Sequence, residues 1–213
     1  MSTHIILVRH GETAWNREQV YRGTYDIPLN ENGRKQAGLA SRALAKQQIA
    51  AAYTSPLSRA TDTAAIVLKP HGVQAIPHDG FFDFDYGEWT GLAEDEVARR
   101  WPDEHRQWIS TPHDIVIPGG DSLSVVFERA FGAMEEIVAQ YPRKTVALFA
   151  HRVVNKLLVL GVQGLGLDKF PDIIQGNACI NRFERMDSGY IVHSLNDISH
   201  LRNEDVSLLE TDF

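Results

Sequence analysis

The sequence predicts an α/β fold with a mostly parallel central sheet and helices on both faces. Short apolar runs such as 5–8 and 145–149 are rich in β-branched and aromatic residues and have the length of buried strands. Longer stretches rich in alanine and leucine separate these runs, and strands that alternate with helices pair in parallel with both faces covered. The length of 213 residues suits a single domain that carries one insertion, and we assign residues 1–213 to it.

The amino-terminal part supplies three predicted strands and two helices. A polar loop over 12–32 follows the first strand. The next elements are a helix over about 34–47, a strand over 50–55, a helix from Pro56 to about Leu68 and a short strand over 73–76. Proline is tolerated in the first turn of a helix, so Pro56 is expected to begin the second one.

Residues 79–120 are the least regular part of the chain. They contain three of the four tryptophans, a predicted helix near 93–100, and three prolines. We interpret this segment as an inserted lid that packs over the active end of the sheet. The later elements are a helix capped by Ser122 that runs to about 141, a strand over 145–149, a helix to about 160, and strands over 179–185 and 190–195.

The composition limits the classes of protein to which the chain can belong. The chain is 43% hydrophobic and 23% charged, and its net charge of −7 disfavours nucleic-acid binding through a basic face. Met1 leads directly into a strand with no apolar leader, and no stretch has the length of a membrane helix. We therefore expect a cytoplasmic protein that binds neither nucleic acid nor membranes. The sequence is compatible with a homodimer.

Two predicted strands end in a histidine. Arg9 and His10 follow the first strand, His151 follows the fourth, and a helix comes after each. Ligands bind at the carboxyl ends of the strands in open α/β sheets. An arginine there can grip phosphate oxygens while an imidazole attacks phosphorus. Arg59, in the first turn of a predicted helix, would add a guanidinium where the helix dipole also favours an anion.

Further short motifs accompany these residues. The full set is Arg9-His10-Gly11-Glu12-Thr13, Asn16, Arg22-Gly23, Asp26-x-Pro28-Leu29, Leu29-Asn30-x-x-Gly33-x-x-Gln36-Ala37, Ser55-Pro56-Leu57-x-Arg59-Ala60-x-x-Thr63-Ala64, Asp85-Tyr86-Gly87-x-Trp89-x-Gly91, Gly119-Gly120-Asp121-Ser122 and His151. Their order and spacing, from residue 5 to about 160, resemble the histidine phosphatase superfamily, also called the phosphoglycerate mutase-like family. The segment over 93–120 is more similar to its phosphatase branch.

The resemblance implies a phosphoglycerate mutase-like fold and a two-step mechanism without a metal or another cofactor. His10 would attack phosphorus and become a phosphohistidine, a carboxylic acid would protonate the leaving oxygen, and water would hydrolyse the intermediate. Arg9, Arg59 and His151 would hold the non-bridging oxygens, and Asn16 would add a neutral donor. The cations around His10 should also lower its pKa and keep the ring neutral at pH 7.

Three positions depart from the family pattern. Asp83 stands where relatives usually carry the glutamate that acts as general acid, and aspartate is shorter by one methylene. We predict Asp83 as the acid, with three other acidic residues as alternatives, namely Asp79, Asp85 and Glu88. Arg152 replaces a common glycine, where it either contacts substrate or points away to pair with an acid. Arg22, beside Gly23, adds a cation that suggests a second negative group on the substrate, such as a carboxylate.

We therefore predict a phosphatase that acts on a small phosphorylated metabolite. Arg9, Asn16, Arg22, Gly23, Arg59, His151 and Arg152 are the predicted substrate-binding residues. Two alternatives remain at this point: a phosphoglycerate mutase, which returns the phosphoryl group to glycerate, and a non-catalytic phosphate-binding module. A mutase would need extra basic residues in a lid that excludes water from the phosphohistidine. Arg99, Arg100 and Arg106 alternate with acids, which favours a solvated helix instead.

Overall fold

The computed structural model describes residues 2–202 and 204–209, and its centre is a six-stranded sheet. The strands are β1 (Thr3–Arg9), β2 (Ile49–Thr54), β3 (Ala75–Pro77), β4 (Thr145–Ala150), β5 (Ile180–Met186) and β6 (Gly189–Asp197). They lie in the order β3-β2-β4-β1-β5-β6. The first four pair in parallel, and β5 and β6 extend the sheet in antiparallel fashion. The predicted α/β fold with a mostly parallel sheet is confirmed.

Seven α-helices accompany this sheet within the described residues. They are α1 (Ala14–Arg17), α2 (Glu31–Leu44), α3 (Ser58–Leu68), α4 (Glu94–Arg100), α5 (Pro102–Ser110), α6 (Leu123–Gln140) and α7 (Arg152–Gln163). None of the described helices combines the length and the hydropathy needed to cross a lipid bilayer.

The side chains of β1 point alternately into two apolar clusters, one on each face of the sheet. Ile5 and Leu7 belong to a cluster that includes the inner faces of α6 and α7, whereas Ile6 and Val8 belong to a second cluster with α2 and α3. Each such side chain stabilises the fold by about 1.5–3 kcal/mol when fully buried. Because both faces of the sheet are covered, polar chemistry is confined to its edges and strand ends.

Two helices begin at residues other than those predicted, because distant or local caps fix their first turns. α2 starts three residues early, since the side chain of Asn30 accepts the N–H of Gly33. α3 starts at Ser58 and leaves Pro56 outside, since Asp26 Oδ1 accepts the N–H of Ser58 at 2.7 Å. Asp26 lies 32 residues away in sequence, so local propensity could not indicate this cap.

The predicted insertion contains α4, a separate helix α5 that carries Arg106, and several 3₁₀ turns. Aromatic rings fill it: the ring of Trp108 lies 5.3 Å from that of Phe84 and 6.5 Å from that of Trp89. Its ends are tied together, because the N–H of Asp121 donates to the carbonyl oxygen of Asp85 and the N–H of Asp85 donates to Asp121 Oδ2. This closure holds the loop before Phe84 in a defined position.

Candidate active site

The carboxyl ends of β1 and β4 bring two histidines together. The two strands are neighbours, and their register pairs Arg9 with Ala150, so that His10 and His151 both follow directly. The ring centroids of His10 and His151 lie 5.3 Å apart, and both side chains are fully buried. Arg59, at the start of α3, also reaches this point, with Nε 3.2 Å from His151 Nδ1. Side chains that are far apart in sequence therefore share one pocket.

Hydrogen bonding fixes the tautomer of His10. Its Nδ1 lies 2.6 Å from the carbonyl oxygen of Gly11, which can only accept, so Nδ1 carries the hydrogen in the neutral ring. Nε2 then holds the lone pair, and it has no hydrogen-bond partner among the described residues. A buried polar atom without a hydrogen-bond partner costs about 1–3 kcal/mol of stability. Such atoms are rare in folded proteins and are typical of functional sites. His10 thus presents a nitrogen that is able to act as a nucleophile.

The surroundings of His10 keep its ring neutral. Burial lowers the pKa of His10 well below its usual 6.5, and the charges of Arg9 and Arg59 lower it further. The predicted direction is confirmed, although burial rather than the cations is the larger cause. Burial, followed by the charge of Arg59, also lowers the pKa of His151 well below 6.5. Both imidazoles are therefore neutral at pH 7.

Two glycines allow the loop after His10 to lie directly against α2. A Cβ atom on Gly11 would lie 2.4 Å from the carbonyl oxygen of Gly33, and one on Gly33 would lie 2.1 Å from that of Glu12. The N–H of Gly11 also donates to Thr63 Oγ1 at 3.1 Å. The glycine spacing noted in the sequence therefore sets the position of the carbonyl group that orients His10.

Arg59 is held by four acceptors. Besides the contact with His151, Nη1 donates to the carbonyl oxygen of Tyr25 at 2.7 Å. Nη2 donates to the carbonyl oxygen of Gly23 at 2.9 Å and to Asp83 Oδ2 at 2.8 Å. A guanidinium group has five N–H donors, so most of the donor capacity of Arg59 is already used. An incoming anion can gain more than one bond from Arg59 only by replacing one of these acceptors.

Asp83 brings a carboxylate to the same pocket. Its Oδ1 accepts the N–H of Phe84 at 2.9 Å, and its Oδ2 lies 2.8 Å from Arg59 Nη2 and 3.3 Å from His151 Nδ1. The side chain is nearly buried, so this ion pair is little screened by solvent. The structure therefore brings Asp83 together with Arg59 and His151.

Arg129 of α6 holds the loop that carries Asp83. Its Nη1 donates to three carbonyl oxygens of that loop, at distances between 2.9 and 3.2 Å. These acceptors belong to Asp79, Gly80 and Phe82. Sequence reasoning missed this arginine, because it lies on a distant helix and belongs to none of the motifs.

The alternative acids lie outside the pocket. Asp79 and Glu88 are exposed, and Asp85 Oδ1 accepts the N–H of Gly87 at 2.8 Å within its own turn. Glu12, which is buried, is occupied by an arginine at 2.5 Å and by two asparagines. None of these four carboxylates, all within the described residues, contacts a guanidinium or imidazole of the pocket.

Asn16 is buried beside the strand end of β1. Its Oδ1 accepts the N–H and the hydroxyl of Thr13, both at 2.9 Å, in a capping box at the start of α1. With the oxygen engaged in this way, the amide nitrogen is the end of the side chain that can donate to an anion.

The remaining predicted contacts surround a small cavity next to the pocket. Its lining consists of Tyr21, Arg22, Gly23, Asp83, Tyr86, Arg152 and Val153. Gly23 has a φ of +52°, which suits glycine, and its carbonyl oxygen binds Arg59. Arg152, the first residue of α7, lines this cavity and forms no ion pair with an acid among the described residues, so of its two predicted roles the pairing with an acid is not observed there. Arg22 and Arg152 thus place two cations beside Asp83.

Comparison with known proteins identifies the family. The family model that describes the histidine phosphatase superfamily (branch 1) matches residues 5–198 of this sequence. The chain belongs to this superfamily. The predicted resemblance, drawn from motifs over 5–160, is therefore confirmed over nearly the whole chain.

Relatives of this histidine phosphatase include phosphatases. Phosphoserine phosphatase 1 of Hydrogenobacter thermophilus is 32% identical over 197 residues, which cover 92% of this chain and 93% of the relative. The structure of Bacillus stearothermophilus YhfR has a TM-score of 0.90 at 30% identity and covers 93% of this chain and 99% of that one. A mutant phosphoserine phosphatase from Entamoeba histolytica, in complex with phosphoserine, has a TM-score of 0.83 at 26% identity, with coverage of 93% and 99%. The chain is a phosphoric monoester hydrolase of the histidine phosphatase type.

Sequence reasoning did not identify two further residues of this histidine phosphatase that contact the site. Ser55 Oγ lies 2.7 Å from His151 Nε2, although its motif indicated only a helix start. The carbonyl oxygen of Gln175 accepts Arg9 Nη1 at 2.6 Å, and the Gln175 side chain is fixed by reciprocal amide bonds to Asn181 at 2.8 and 2.9 Å. A contact between backbone and side chain across 166 residues leaves no local signal in the sequence.

Proposed function

We propose that this enzyme hydrolyses small phosphomonoesters without a metal, through a phosphohistidine on His10. The observation that carries the proposal is the buried Nε2 of His10, which has no hydrogen-bond partner among the described residues. The low pKa of His10 keeps its lone pair available at pH 7. Arg9 and Arg59 supply the charge stabilisation and positioning that phosphoryl transfer demands. The same positive charge favours an anion and opposes a metal ion in this pocket.

The two chemical steps use His10 and Asp83. First, the Nε2 lone pair forms a bond to phosphorus while the bond between phosphorus and the ester oxygen breaks, and that oxygen takes the proton of Asp83. The alcohol leaves. Water then attacks phosphorus and gives a proton to the Asp83 carboxylate, and Nε2 departs with its electron pair. Inorganic phosphate is released and both side chains return to their starting states.

Substrate binding itself prepares Asp83 for its role as acid. Without substrate, the Asp83 carboxylate is paired with Arg59 Nη2 at 2.8 Å. The phosphoryl oxygens compete for this donor, and their negative charge disfavours a second anion beside them. The exchange of partners on Arg59 turns an ion-paired carboxylate into a proton donor.

The arginines of the insertion favour hydrolysis over mutase chemistry. Arg100 pairs with Glu96 and Arg106 pairs with Asp103, each on its own helix, and both arginines are exposed. They therefore neutralise neighbouring acids rather than line a basic lid over the pocket. The proposed mechanism requires water to reach the phosphohistidine, and no such basic lid opposes it within the described residues.

The substrate carries a second anionic group, such as a carboxylate, close to its phosphate. Arg22 and Arg152 line the cavity beside Asp83, where the leaving group must lie if Asp83 protonates it. The names of two relatives, phosphoserine phosphatases of Hydrogenobacter thermophilus and Entamoeba histolytica, support a substrate of this class.

Trapping of the intermediate tests the mechanism. The purified enzyme is mixed with a radiolabelled aryl phosphate and quenched in alkali, which preserves phosphohistidine, and the labelled peptide is mapped. We expect label on His10 in the wild type and in the matched control His71→Asn, and no label in His10→Asn. Label on another residue, or full turnover by His10→Asn, would exclude the proposed nucleophile.

A second experiment tests the substrate class. In Arg22→Ala, the preference for phosphoserine or phosphoglycerate over a neutral alkyl phosphate should fall by about 10-fold or more. This fall corresponds to the loss of one charge-assisted hydrogen bond, which contributes about 1.5–3 kcal/mol. The Arg99→Ala variant, which removes an exposed arginine of the insertion, serves as control. An unchanged preference in Arg22→Ala would remove the second anionic group from the proposal while leaving the phosphohistidine mechanism intact.

A further inference from the structure

A second cluster of histidines lies at the opposite end of β1 from His10. His4 is the second residue of β1, so it lies about 20 Å along the strand from His10 at about 3.3 Å per residue. His4 pairs directly with Glu184 of β5, and both side chains share one face of the sheet. His193 of the edge strand β6 joins them, with Nε2 3.2 Å from Glu184 Oε2. Three neighbouring strands thus bring two imidazoles and one carboxylate together.

The register of β6 places His193 on the same face as the other two groups. Phe183 pairs with Val192 and Arg182 pairs with Ser194, so His193 is the extra residue on β6. Glu184 pairs with Ile191, and alternate residues of a strand share a face, so His193 lies on the face that carries Glu184. His193 itself is exposed on this edge strand, as are Ile191 and Val192 before it.

The distances within this cluster approach those of a metal site. One ligand atom from each of His4, Glu184 and His193 lies within 4.8 Å of the others. Ligand atoms around a tetrahedral Zn²⁺ lie about 3.3 Å apart, given bonds of about 2.0 Å. The pair of His193 and Glu184 already has that separation, and His4 is exposed and free to adjust its rotamer by the remaining ångström or so.

We propose that His4, Glu184 and His193 bind a divalent late transition-metal ion of the Zn²⁺ class. Two imidazoles and one carboxylate are the donor set that such ions prefer, and water completes the coordination on the exposed side. The ion would connect β1, β5 and β6, and would thereby stabilise the attachment of the antiparallel strands β5 and β6 to the parallel part of the sheet. It takes no part in phosphate chemistry, because the catalytic pocket lies at the other end of β1.

Metal titration of the tag-free chain tests this site. After removal of metal with a chelator, calorimetry with ZnCl₂ should give one equivalent bound to the wild type, accompanied by a rise in Tm. His4→Ala and His193→Ala should each weaken binding by at least about 10-fold and abolish the rise in Tm, while retaining phosphatase activity. Glu184→Gln should weaken binding in the same way. His71→Ala, which removes a histidine that does not belong to the cluster, should bind as the wild type does.

Two outcomes would overturn the proposal. One is a wild type that binds no Zn²⁺, or binds it with equal affinity in His4→Ala and His193→Ala. The other is binding that is lost in His10→Asn and retained in both cluster variants, which would assign the ion to the catalytic pocket. The Tm of each metal-free variant, measured first, shows whether it is folded before metal is added.

Discussion

His10 and His151 end neighbouring parallel strands, are equally buried and have pKa values lowered in the same direction, but their hydrogen bonds differ. His10 Nδ1 is bonded to a backbone carbonyl group, and its Nε2 has no partner among the described residues. Both nitrogens of His151 are occupied: Nδ1 accepts from Arg59 Nε, and Nε2 lies 2.7 Å from Ser55 Oγ.

This difference shows what separates a nucleophile from a positioning group. Burial and neighbouring cations make both rings neutral, so they do not distinguish the two. In His151, an arginine can only donate, so Nδ1 must accept and Nε2–H must donate to Ser55. Neither nitrogen retains a lone pair for attack on phosphorus. The partners of each ring, rather than its pKa, therefore assign its role.

The largest predicted effect comes from replacing each histidine by asparagine. His10→Asn should lower kcat by at least about 10⁴-fold, because no group replaces the nucleophile. His151→Asn should lower kcat by about 10²–10³-fold, because one group that stabilises the transition state is lost. This variant should still accumulate label on His10. Rapid-quench labelling together with steady-state kinetics measures both. Label on His151 in the His10→Asn variant would break the distinction drawn here.

The next largest effect concerns Asp83, which contacts His151 and not His10 among the described residues. Asp83→Asn should lower kcat for alkyl phosphates by about 10²–10⁴-fold, because the alkoxide then leaves without a proton. Aryl phosphates, whose leaving groups need no acid, should lose less than about 10-fold. Asp79→Asn, which alters an exposed acid of the same loop, is the matched control. Equal losses on both substrates would contradict the acid role.

The sequence predicted the strands and the two histidines well, because both depend on local patterns. The apolar run before His10 and the one before His151 indicate buried strands, and parallel pairing carries their ends to one edge. The partners that distinguish the rings depend on tertiary contacts instead. Ser55 reaches His151 across 96 residues, and Arg129 holds the Asp83 loop from α6. No periodicity or spacing in the chain encodes such contacts.

A smaller effect follows from the shared low pKa of the two rings. Below pH 6.5 the unfolded chain binds protons at His10 and His151 that the folded protein does not, so stability is lost as the pH falls from 6.5 towards the folded pKa values. Each ring contributes a slope of about 1.4 kcal/mol per pH unit. Urea unfolding between about pH 7 and pH 5 should therefore show a slope that is shallower by this amount in His10→Asn and in His151→Asn. A slope equal to that of the wild type in either variant would mean that the replaced ring is not held neutral.

The smallest predicted effect is the most specific test of the comparison. Ser55→Ala removes the partner of His151 Nε2 and makes this nitrogen resemble that of His10. The Arg59 bond to Nδ1 still keeps the hydrogen on Nε2, so no lone pair appears there and His151 should remain unlabelled. Loss of one hydrogen bond of about 0.5–1.5 kcal/mol should lower kcat by about 2- to 12-fold, through poorer positioning of His151. Thr61→Ala, which removes a half-buried hydroxyl bond to the carbonyl oxygen of Ser58 within α3, should leave kcat unchanged. Phosphohistidine at His151 in the Ser55→Ala variant would show that Ser55, and not Arg59, keeps His151 from acting as the nucleophile.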